Sequence, residues 1–458
     1  MSFSLEARHV FATLNVEVID QGLCTHCGTC VGLSSGLLCM EETEKGPVPV
    51  AIGSGEIKID PAAYVACPGK GLNYPDLNRF TFGRLPENWL VGNVRRSYVG
   101  FANDDQVRRN GASGGVISAC LIYLLEKRMV DGAIMLRQGY PKPYLATPVV
   151  ARSRKEVLDA SQSVYVPAPV NTILAELQHL EGRFAYVGLP DQVASIRKLQ
   201  QLNYIAAKKI KYVFGLYFGT MMYFEAIRSF LRSHGVRDEK EIQKLRYREG
   251  EWPGKLHIVT KSGQVISAEK FYYNYLIPFY ITQSSLLSVD FTNELADISV
   301  GDAWHPHFEK DRKGYSVVLA RTLTGESFLK QVSSENVLSL DEQSTDFVQS
   351  MHGHMLDFKK RGAFLRFEKR IRAGKRVPNF GYRPVSINPS RRFVEFVIGL
   401  LFSIGGTRWA RLIVQYIPLS VIGPLFNFIR KSWKNISKPA KRKGLSAYQV
   451  ELVENECP

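Results

Sequence analysis

The segment CTHCGTC places Cys24, Cys27 and Cys30 at successive CxxC spacings, and a Cys-Pro pair follows at Cys67. Three thiolates this close together can wrap a tight loop around one corner of an iron-sulfur cubane, and a remote Cys-Pro supplies the fourth ligand. Gly28, inside the second CxxC step, lets the backbone approach the sulfides. The pattern predicts one 4Fe-4S cluster, and therefore one-electron transfer.

Other uses of these cysteines are less consistent with the sequence. A structural zinc site normally closes with a second CxxC pair, which is absent here. Disulfides are disfavoured because seven cysteines occur in 458 residues and no secretory segment opens the sequence, so we expect a cytoplasmic, reduced protein. Cys39 competes with Cys67 as fourth ligand. We predict Cys67, because a proline follows it, whereas Cys39 lies between Leu38 and Met40 like a core residue.

The positive charge is confined to one end of the chain. The net charge is +16, yet residues 359–458 contain 21 Lys/Arg and five Asp/Glu, which leaves the preceding residues balanced. Any electrostatic attraction of negatively charged partners is therefore expected from the C-terminal part of the chain. Nucleic-acid binding is disfavoured because no aromatic-basic strand pattern accompanies the charge.

Four regions are expected to position these residues. Residues 1–95 have the short apolar runs and Gly/Pro breaks of a loop-rich, ferredoxin-like cluster module. Residues 96–345 alternate strand and helix patterns, which predicts an α/β core with a largely parallel sheet and an inserted β-hairpin near 245–271. Residues 346–390 form a helical extension, and residues 391–458 form an apolar, basic helical tail.

Two strand-helix-strand units are expected in the core. The first runs from SYVGFAN through a Gly-rich turn and the helix VISACLIYLLEK to DGAIMLR, and the second joins FAYVGLP, DQVASIRKLQQL and KIKYVFGLYFG. In the first unit the sequence Gly111-Ala112-Ser113-Gly114-Gly115 precedes the helix, with Arg108 and Arg109 upstream. Small residues let an anion such as phosphate approach the free backbone N-H groups at a helix N-terminus. A simple tight turn is the alternative, because GASGG is neither GxGxxG nor a P-loop.

Six motifs in order resemble one known family. They are CTHCGTC, GASGGVISACLIYLLEKRMVDGAI, SQSVYVP, YVGLPDQVASIRKL, LRYREGEWPG and ADISVGDAW, and together they cover about residues 20–375. The chain resembles the beta-subunit family of deazaflavin-coenzyme-dependent hydrogenases and dehydrogenases. The resemblance implies an oxidoreductase that carries FAD and one or two 4Fe-4S clusters, with the flavin against GASGG. The cofactor contacts we assign are Arg109, Gly111, Ser113, Gly114, Gly115, Tyr165, Gln192 and Arg248.

The chain departs from this family at a second cluster. Many relatives ligate that cluster through cysteines whose positions are occupied here by Asp191, Phe218, Ser285 and Ser288. A phenyl ring and hydroxyls do not replace thiolates, so we expect a single cluster. Asp191 begins a helix and is expected either to cap it or to act as acid or base. Asp302, at a strand end, is the second catalytic candidate, with a loop cap as the alternative.

The tail suggests contact with a membrane surface. Residues 412–429 carry no formal charge but are interrupted by prolines, so interfacial helices or helices docked on the core are expected rather than a straight span. Basic residues flank the segment, and Trp409, Tyr416 and Trp433 could anchor at headgroups of an anionic membrane on its inner face. The alternative is a helical hairpin that closes the domain.

The sequence as a whole predicts an iron-sulfur flavoprotein oxidoreductase. Its 4Fe-4S cluster would receive electrons from a ferredoxin-like donor or a partner redox subunit, and FAD would exchange a hydride with a small organic substrate. One alternative is an electron-transfer beta subunit of a larger complex that uses the deazaflavin coenzyme. Another is a non-catalytic binding protein at a membrane surface.

Overall fold

The strands form from short runs rich in β-branched and aromatic residues, which suit a pleated, half-buried surface. The computed structural model describes residues 6–269 and 273–453. The strands in these residues are β1 (Leu38–Thr43), β2 (Gly46–Ala51), β3 (Arg96–Ala102), β4 (Gly132–Gln138), β5 (Ala146–Ala151), β6 (Phe184–Gly188), β7 (Ile210–Leu216), β8 (Ile242–Glu249), β9 (Lys255–Thr260), β10 (Val265–Glu269), β11 (Ile298–Asp302), β12 (Ser316–Ala320), β13 (Leu338–Glu342), β14 (Tyr382–Pro384) and β15 (Val450–Leu452).

Several helices begin at a capping side chain, such as Asp104, Thr322, Ser344 or Asn388, which accepts a hydrogen bond from a first-turn N-H group. The α-helices are α1 (Ala7–Leu14), α2 (Thr29–Gly32), α3 (Ala62–Val65), α4 (Tyr74–Phe82), α5 (Asp105–Asn110), α6 (Val116–Glu126), α7 (Arg154–Asp159), α8 (Leu174–Leu177), α9 (Pro190–Gln201), α10 (Ile205–Lys208), α11 (Glu225–Arg232), α12 (Ile277–Tyr280), α13 (Gln283–Leu287), α14 (Pro306–Glu309), α15 (Leu323–Ser334), α16 (Thr345–Asp357), α17 (Ala363–Arg372), α18 (Pro389–Gly405), α19 (Arg408–Val414) and α20 (Leu419–Arg442). Short π-helical turns occupy Asn15–Ile19 and Phe358–Gly362.

The central sheet has eight strands in the order β13-β3-β12-β11-β7-β6-β4-β5. The β4-β6, β6-β7 and β7-β11 pairs are parallel, and the other four neighbouring pairs are antiparallel. The prediction of a largely parallel sheet is therefore wrong, because β12 and β5 each turn back beside the preceding strand, and β13 returns after α15 to pair antiparallel with β3. The α/β class is confirmed, with a mixed sheet.

The two strand-helix-strand units differ in whether their two strands are neighbours in the sheet. The second is confirmed, since β6 and β7 are parallel neighbours joined by α9. In the first unit β3 and β4 run in the same direction but are separated in the sheet by β12, β11, β7 and β6, so α6 makes a long crossover. The predicted order of strand, Gly-rich turn, helix and strand is therefore present, but later strands insert between its two strands in the sheet.

Both faces of the sheet are covered, as the alternation of side chains along the strands requires. On β4 and β6, Ile134, Phe184 and Tyr186 belong to one apolar cluster, whereas Ala133 and Ala185 belong to another on the opposite face. The first face packs against α8, α9 and the N-terminal residues, and the second against α6 and α15. The result is a three-layer arrangement.

The N-terminal region shares the core of the first face. Its strands β1 and β2 form an antiparallel pair, and residues such as Leu14, Leu23 and Leu38 join the same apolar cluster as β6 and α9. The cysteine loop is thereby packed onto the α/β core. A ferredoxin-like fold for this region remains a prediction.

Outside the central sheet, the insertion is larger than the expected hairpin. Strands β8, β9 and β10 form a three-stranded antiparallel sheet, because a second turn adds β10. Helices α18, α19 and α20 occupy most of the C-terminal tail, which returns to the body through the β14-β15 pair.

Among the described helices, none is by itself both long and apolar enough to cross a bilayer. The bent pair α18 and α19, at 75°, meets that test of length and composition together.

Candidate functional site

The predicted site residues collect at one edge of the central sheet. Strands β3, β4, β6, β7 and β11 run in the same direction, so their carboxyl ends lie at a common edge. The segments that follow these strands carry the glycine loop, Asp191, Phe218 and Asp302. Ligands of open α/β sheets bind at this edge.

Four of the cysteines line one pocket near this edge. Cys24, Cys27, Cys30 and Cys67 surround it together with apolar side chains from α1, the Asn15–Ile19 turn and β2. Burial raises the pKa of Cys24 and of Cys67 to about 12 and raises the pKa of the other two thiols as well. A thiolate in this pocket therefore needs a compensating positive charge, which a metal centre provides. Four thiols around one pocket are the donor set that a cluster ligated by cysteine needs.

Cys39 does not belong to this pocket. It lies on β1 and its side chain is exposed, so the expectation that it is a core residue is wrong. The strand alternates, and it is Leu38 rather than Cys39 that points into the core. In the described ranges, 6–269 and 273–453, no group of three or more His, Cys, Asp or Glu side chains is already arranged around a single metal ion.

The cysteine loop is held against the core by a buried hydroxyl network. The Thr29 hydroxyl lies 2.7 Å from that of Ser195 on α9 and accepts a 3.0 Å hydrogen bond from the Asn171 side chain. Ser195 in turn donates to the carbonyl of Ala66, the residue before Cys67. Gly28 has a φ of +84°, and a Cβ there would lie 2.9 Å from the Pro169 carbonyl oxygen. The positions of both cysteine segments are therefore set by α9 and its neighbours.

The glycine loop lies between α5 and α6, since a short helix replaces the expected direct link from the strand. Gly115 precedes α6 with a φ of +74°, and a Cβ at Gly114 would lie 2.6 Å from the Gly100 carbonyl oxygen. The Ser113 hydroxyl lies 2.7 Å from that of Ser316, which also accepts a hydrogen bond from the Gly114 N-H. The loop is thus fitted tightly against β3 and β12.

The two arginines before the loop have different surroundings. Arg108 is buried, donates to the Gly314 carbonyl oxygen at 2.9 Å, and stacks on Phe101 with its guanidinium 3.7 Å from the ring centre. Arg109, the predicted cofactor contact, is exposed and lies 3.4 Å from Asp105. Arg108 therefore braces the loop from within, while Arg109 lies on its outer side.

Residues 161–169 connect the glycine loop to the cysteine pocket. At one end the Ser161 hydroxyl accepts a hydrogen bond from the Asn110 side chain, next to Gly111. At the other end the Ala168 carbonyl oxygen accepts a 3.0 Å hydrogen bond from Gln192. Pro169 then contacts Gly28 in the cysteine loop. A ligand bound along this segment would reach both predicted sites.

Several buried polar atoms near this segment have no hydrogen-bond partner. They belong to side chains of β4, β8 and the 161–169 segment: Gln138 Oε1, Gln162 Oε1, Arg246 Nη1, Tyr247 Oη and Arg248 Nη2. Buried polar atoms are normally satisfied, so such a group indicates a polar ligand. Tyr165 lies among them, with its ring centre 5.8 Å from that of Tyr247. This donor and acceptor set fits the phosphates and polar ring edges of a flavin nucleotide.

Asp191 lies in the first turn of α9, beside a buried lysine that no sequence pattern singles out. Burial raises the pKa of Asp191, and the Lys359 ammonium partly opposes this. Burial lowers the pKa of Lys359, and the Asp191 carboxylate opposes that change. Lys359 Nζ donates to the Ser285 carbonyl oxygen at 2.8 Å and lies 4.2 Å from the centre of the Phe218 ring. Lys359 therefore contacts or faces three of the four residues that replace the second-cluster cysteines of the relatives, namely Asp191, Phe218 and Ser285.

Comparison with known proteins assigns most of the central α/β region to one family. Family models described as coenzyme F420 hydrogenase/dehydrogenase, beta subunit N-term and C terminus, match residues 97–175 and 181–346. The chain belongs to this family. The predicted resemblance is thus confirmed, and the family is one of oxidoreductases. Neither matched range includes the four cysteines.

Individual relatives agree with this assignment. A coenzyme F420-dependent sulfite reductase of Methanocaldococcus jannaschii is 27% identical over 341 residues, 71% of this chain and 48% of the relative, so the match spans about half of that protein. A coenzyme F420 hydrogenase subunit beta of Methanococcus voltae is 27% identical over 54% of this chain and 84% of the subunit. A chain of the F420-reducing [NiFe] hydrogenase complex of Methanosarcina barkeri shares the fold, with a TM-score of 0.51, 20% identity, and coverage of 64% of this chain and 98% of that one.

Proposed function

We propose that the protein is an iron-sulfur flavoprotein oxidoreductase that couples one-electron transfer through a single 4Fe-4S cluster to hydride exchange between FAD and a small organic substrate. The observation that carries the proposal is the continuous path from the cysteine pocket to the glycine loop along residues 161–169. When bound, the cluster supplies single electrons and the flavin stores two, which allows conversion between the two kinds of transfer.

The metal ligands in this proposal are Cys24, Cys27, Cys30 and Cys67. The proposed flavin contacts, by contrast, come from three elements and the segment between them: Arg109, Gly111, Ser113, Gly114 and Gly115 in the glycine loop, Tyr165 in the connecting segment, Gln192 on α9 and Arg248 on β8. Gly114 and Gly115 let the loop pack closely against Gly100 and α5 just before α6, whose N-terminal N-H groups favour an anion such as phosphate, and the unpartnered Nη2 atom of Arg248 adds a positive donor.

Asp191 and Asp302 have unequal support as acid-base groups. The raised pKa of Asp191 keeps its carboxyl group protonated to a higher pH, so that it can donate a proton to a reacting group. Asp302 is already bound on both oxygens by Arg248. We therefore propose Asp191 as the acid-base residue and Asp302 chiefly as the residue that positions Arg248.

The proposed electron donor is a ferredoxin-like protein or a partner redox subunit in the cytoplasm. One cluster per chain follows from the side chains at the excluded second site, where Lys359 contacts Phe218 and Ser285. The residues at the four positions of that site, Asp191, Phe218, Ser285 and Ser288, supply no thiolate to bind iron.

Anaerobic purification with absorption spectra and assays of iron, sulfide and flavin tests the proposal. We expect about four irons and one flavin per chain, as one cubane and one FAD require. Twice that iron content would contradict the single cluster. Zinc without flavin would overturn the proposed function.

A second candidate function is favoured by the subunits in the family. The match to a hydrogenase subunit beta covers 84% of that subunit, which suggests an electron-transfer subunit of a larger complex, with the deazaflavin coenzyme as hydride carrier. Copurification of a catalytic partner, combined with no turnover by the isolated chain, would support this version. Turnover by the isolated chain with reduced ferredoxin would support the first.

A further inference from the structure

The three C-terminal helices present large apolar side chains to solvent. On α18 they recur at helical spacing, as at Phe393, Phe396 and Leu400, and on α20 at Val421, Leu425 and Phe428. The most exposed lie on and after α19, where Trp409 is 77% and Tyr416 78% exposed. Contiguous apolar surface of this kind marks an interaction site on a protein.

The opposite sides of these helices are firmly attached to the body. Arg391 on α18 is buried, and its Nε donates to Asp357 at 2.6 Å. Arg411 on α19 donates to the Phe279 carbonyl oxygen at 2.9 Å. A Cβ at Gly405 would lie 2.4 Å from the Pro278 carbonyl oxygen. Because the inner faces are already packed, the outer apolar faces need a partner other than this chain's own core.

The charge of this region identifies the kind of partner. Residues 389–443 contain eleven Lys/Arg and one acidic residue, Glu395. Glu395 is buried and bound by Arg366 and Arg391, so it does not reduce the positive charge of the surface. The exposed basic residues next to the apolar faces are Arg408, Lys431, Lys434, Lys438 and Arg442. A second copy of this surface would repel the first, whereas an anionic lipid headgroup layer would attract it.

We propose that α18, α19 and α20 form a membrane-docking surface that binds the headgroup layer of an anionic bilayer without crossing it. Apolar and aromatic side chains enter the interface, and the basic side chains contact lipid phosphates. Trp and Tyr are the residues preferred at this depth, which agrees with the exposure of Trp409 and Tyr416. The proposal is independent of the chemistry assigned to the redox site.

A short series of contacts joins this surface to the cysteine pocket. The Arg411 guanidinium lies 5.2 Å from the centre of the Tyr280 ring. The Tyr280 carbonyl oxygen accepts a 2.9 Å hydrogen bond from the Tyr223 N-H, and the Tyr223 ring centre is 6.1 Å from that of His26, between Cys24 and Cys27. Docking would therefore hold the cysteine pocket close to the bilayer.

Flotation of the full-length protein with vesicles tests the proposal. We expect binding to vesicles of phosphatidylcholine with 30% phosphatidylglycerol, a fraction chosen for the assay, and little binding to phosphatidylcholine alone. The variant with Lys434→Glu and Lys438→Glu should bind more than about tenfold less, because each basic residue near an anionic surface contributes about fivefold. The matched charge control is Lys240→Glu with Lys261→Glu, both exposed in the turns that flank strands of the inserted sheet, and should bind almost normally.

Apolar contact is tested by Trp409→Ser with Tyr416→Ser. This variant should lose about tenfold or more in binding, since interfacial affinity scales with buried apolar area. The control Ile205→Ser with Leu323→Ser removes side chains that are 73% and 67% exposed on the body and should bind normally. Binding that does not depend on the anionic lipid would overturn the proposal. So would a loss of vesicle binding in a control variant as large as the loss in the matching tail variant. So would a dimer in light scattering that only the tail variant dissociates, which would make the partner a second copy.

Discussion

The Arg248 guanidinium binds both carboxylate oxygens of Asp302, with Nη1 at 3.0 Å from Oδ1 and 2.8 Å from Oδ2. Trp252 Nε1 donates a third hydrogen bond to Asp302, to Oδ1 at 3.2 Å, and Arg248 Nε donates to the Pro253 carbonyl oxygen. Burial alone would lower the pKa of Arg248, and the Asp302 carboxylate more than offsets this, so that the pKa is raised. The pair joins the inserted sheet to the end of β11, beside the glycine loop.

Replacement of Arg248 by alanine should therefore destabilise the protein strongly. Removing one partner of a buried ion pair leaves the other charge uncompensated, which costs about 3 to 5 kcal/mol. Chemical denaturation measures the loss. The double variant Arg248→Met with Asp302→Asn should recover part of it, because no unpaired charge remains.

An exposed pair provides the matched control. Arg109 and Asp105 are both largely exposed, so Arg109→Ala should change the free energy of unfolding by less than about 1 kcal/mol. A loss at Arg248 no larger than that at Arg109 would show that the buried pair does not hold the inserted sheet in place.

Local sequence patterns were enough to predict the strands that carry Arg248 and Asp302, but not which residues these two side chains contact. Alternation and glycine turns indicated β8, β9 and β11, and Arg248 and Asp302 were each selected at a strand position. Nothing in the sequence joined two residues 54 positions apart, because that contact depends on how the inserted sheet folds back. The same reason explains the error in the central sheet, where β12 and β13 pair with β3 from more than 200 residues away.

Serine substitutions at two cysteines should have opposite results. Cys67 lines the pocket with the CTHCGTC thiols, so Cys67→Ser should lose most of the iron and the visible absorption of the cluster. Cys39 is exposed on β1, so Cys39→Ser should retain both. Iron per chain, measured after anaerobic purification, compares the two. Iron loss only in the Cys39 variant would identify that residue as the fourth ligand.

Asp191→Asn should slow turnover without removing the cofactors. A positioned acid-base residue typically contributes about 10²- to 10⁴-fold, so kcat/KM should fall within that range. Because burial raises the pKa of Asp191, the pH dependence of kcat/KM should lose one limb in the variant. Iron and flavin per chain should stay unchanged.

Two further variants separate chemistry from structure at this position. Lys359→Met removes the ammonium that opposes the raised pKa of Asp191, so the corresponding limb should move to higher pH. Asp105→Asn, an exposed carboxylate before the glycine loop, should leave the profile unchanged. If Asp191→Asn keeps normal kcat/KM at every pH, its carboxylate has no role in proton transfer.

The candidate site shows which functional residues sequence reasoning can find. The cysteines and glycines were found because their chemistry depends on spacing within a short segment. Lys359, Ser316 and Asn171 were missed, since each acts through contacts with distant segments and lies in an unremarkable local pattern. Lys359 in particular belongs to a Lys-Lys-Arg run that indicates a solvated surface, yet its side chain is fully buried.

The stability of the protein should fall in mild acid because of His352. Burial lowers the pKa of this imidazole to about 4, although the nearby Asp302 carboxylate opposes the change. The unfolded chain binds a proton near pH 6.5. Stability from the neutral native imidazole is therefore complete above pH 6.5 and is lost as the pH falls toward 4. At pH 5 the loss should be about 2 kcal/mol relative to pH 7.5.

Chemical denaturation of wild type and His352→Gln across this range isolates the effect. The variant cannot be protonated, so the difference in free energy of unfolding between the two proteins should shift in favour of the variant as the pH falls from 7.5 to 5. His179 is exposed, and His179→Gln should behave like wild type at each pH. Parallel curves for wild type and His352→Gln would mean that His352 is hydrated in solution, and the packing of its ring against Tyr217 and Phe291, with centres 5.3 Å away, would then be too loose to exclude water.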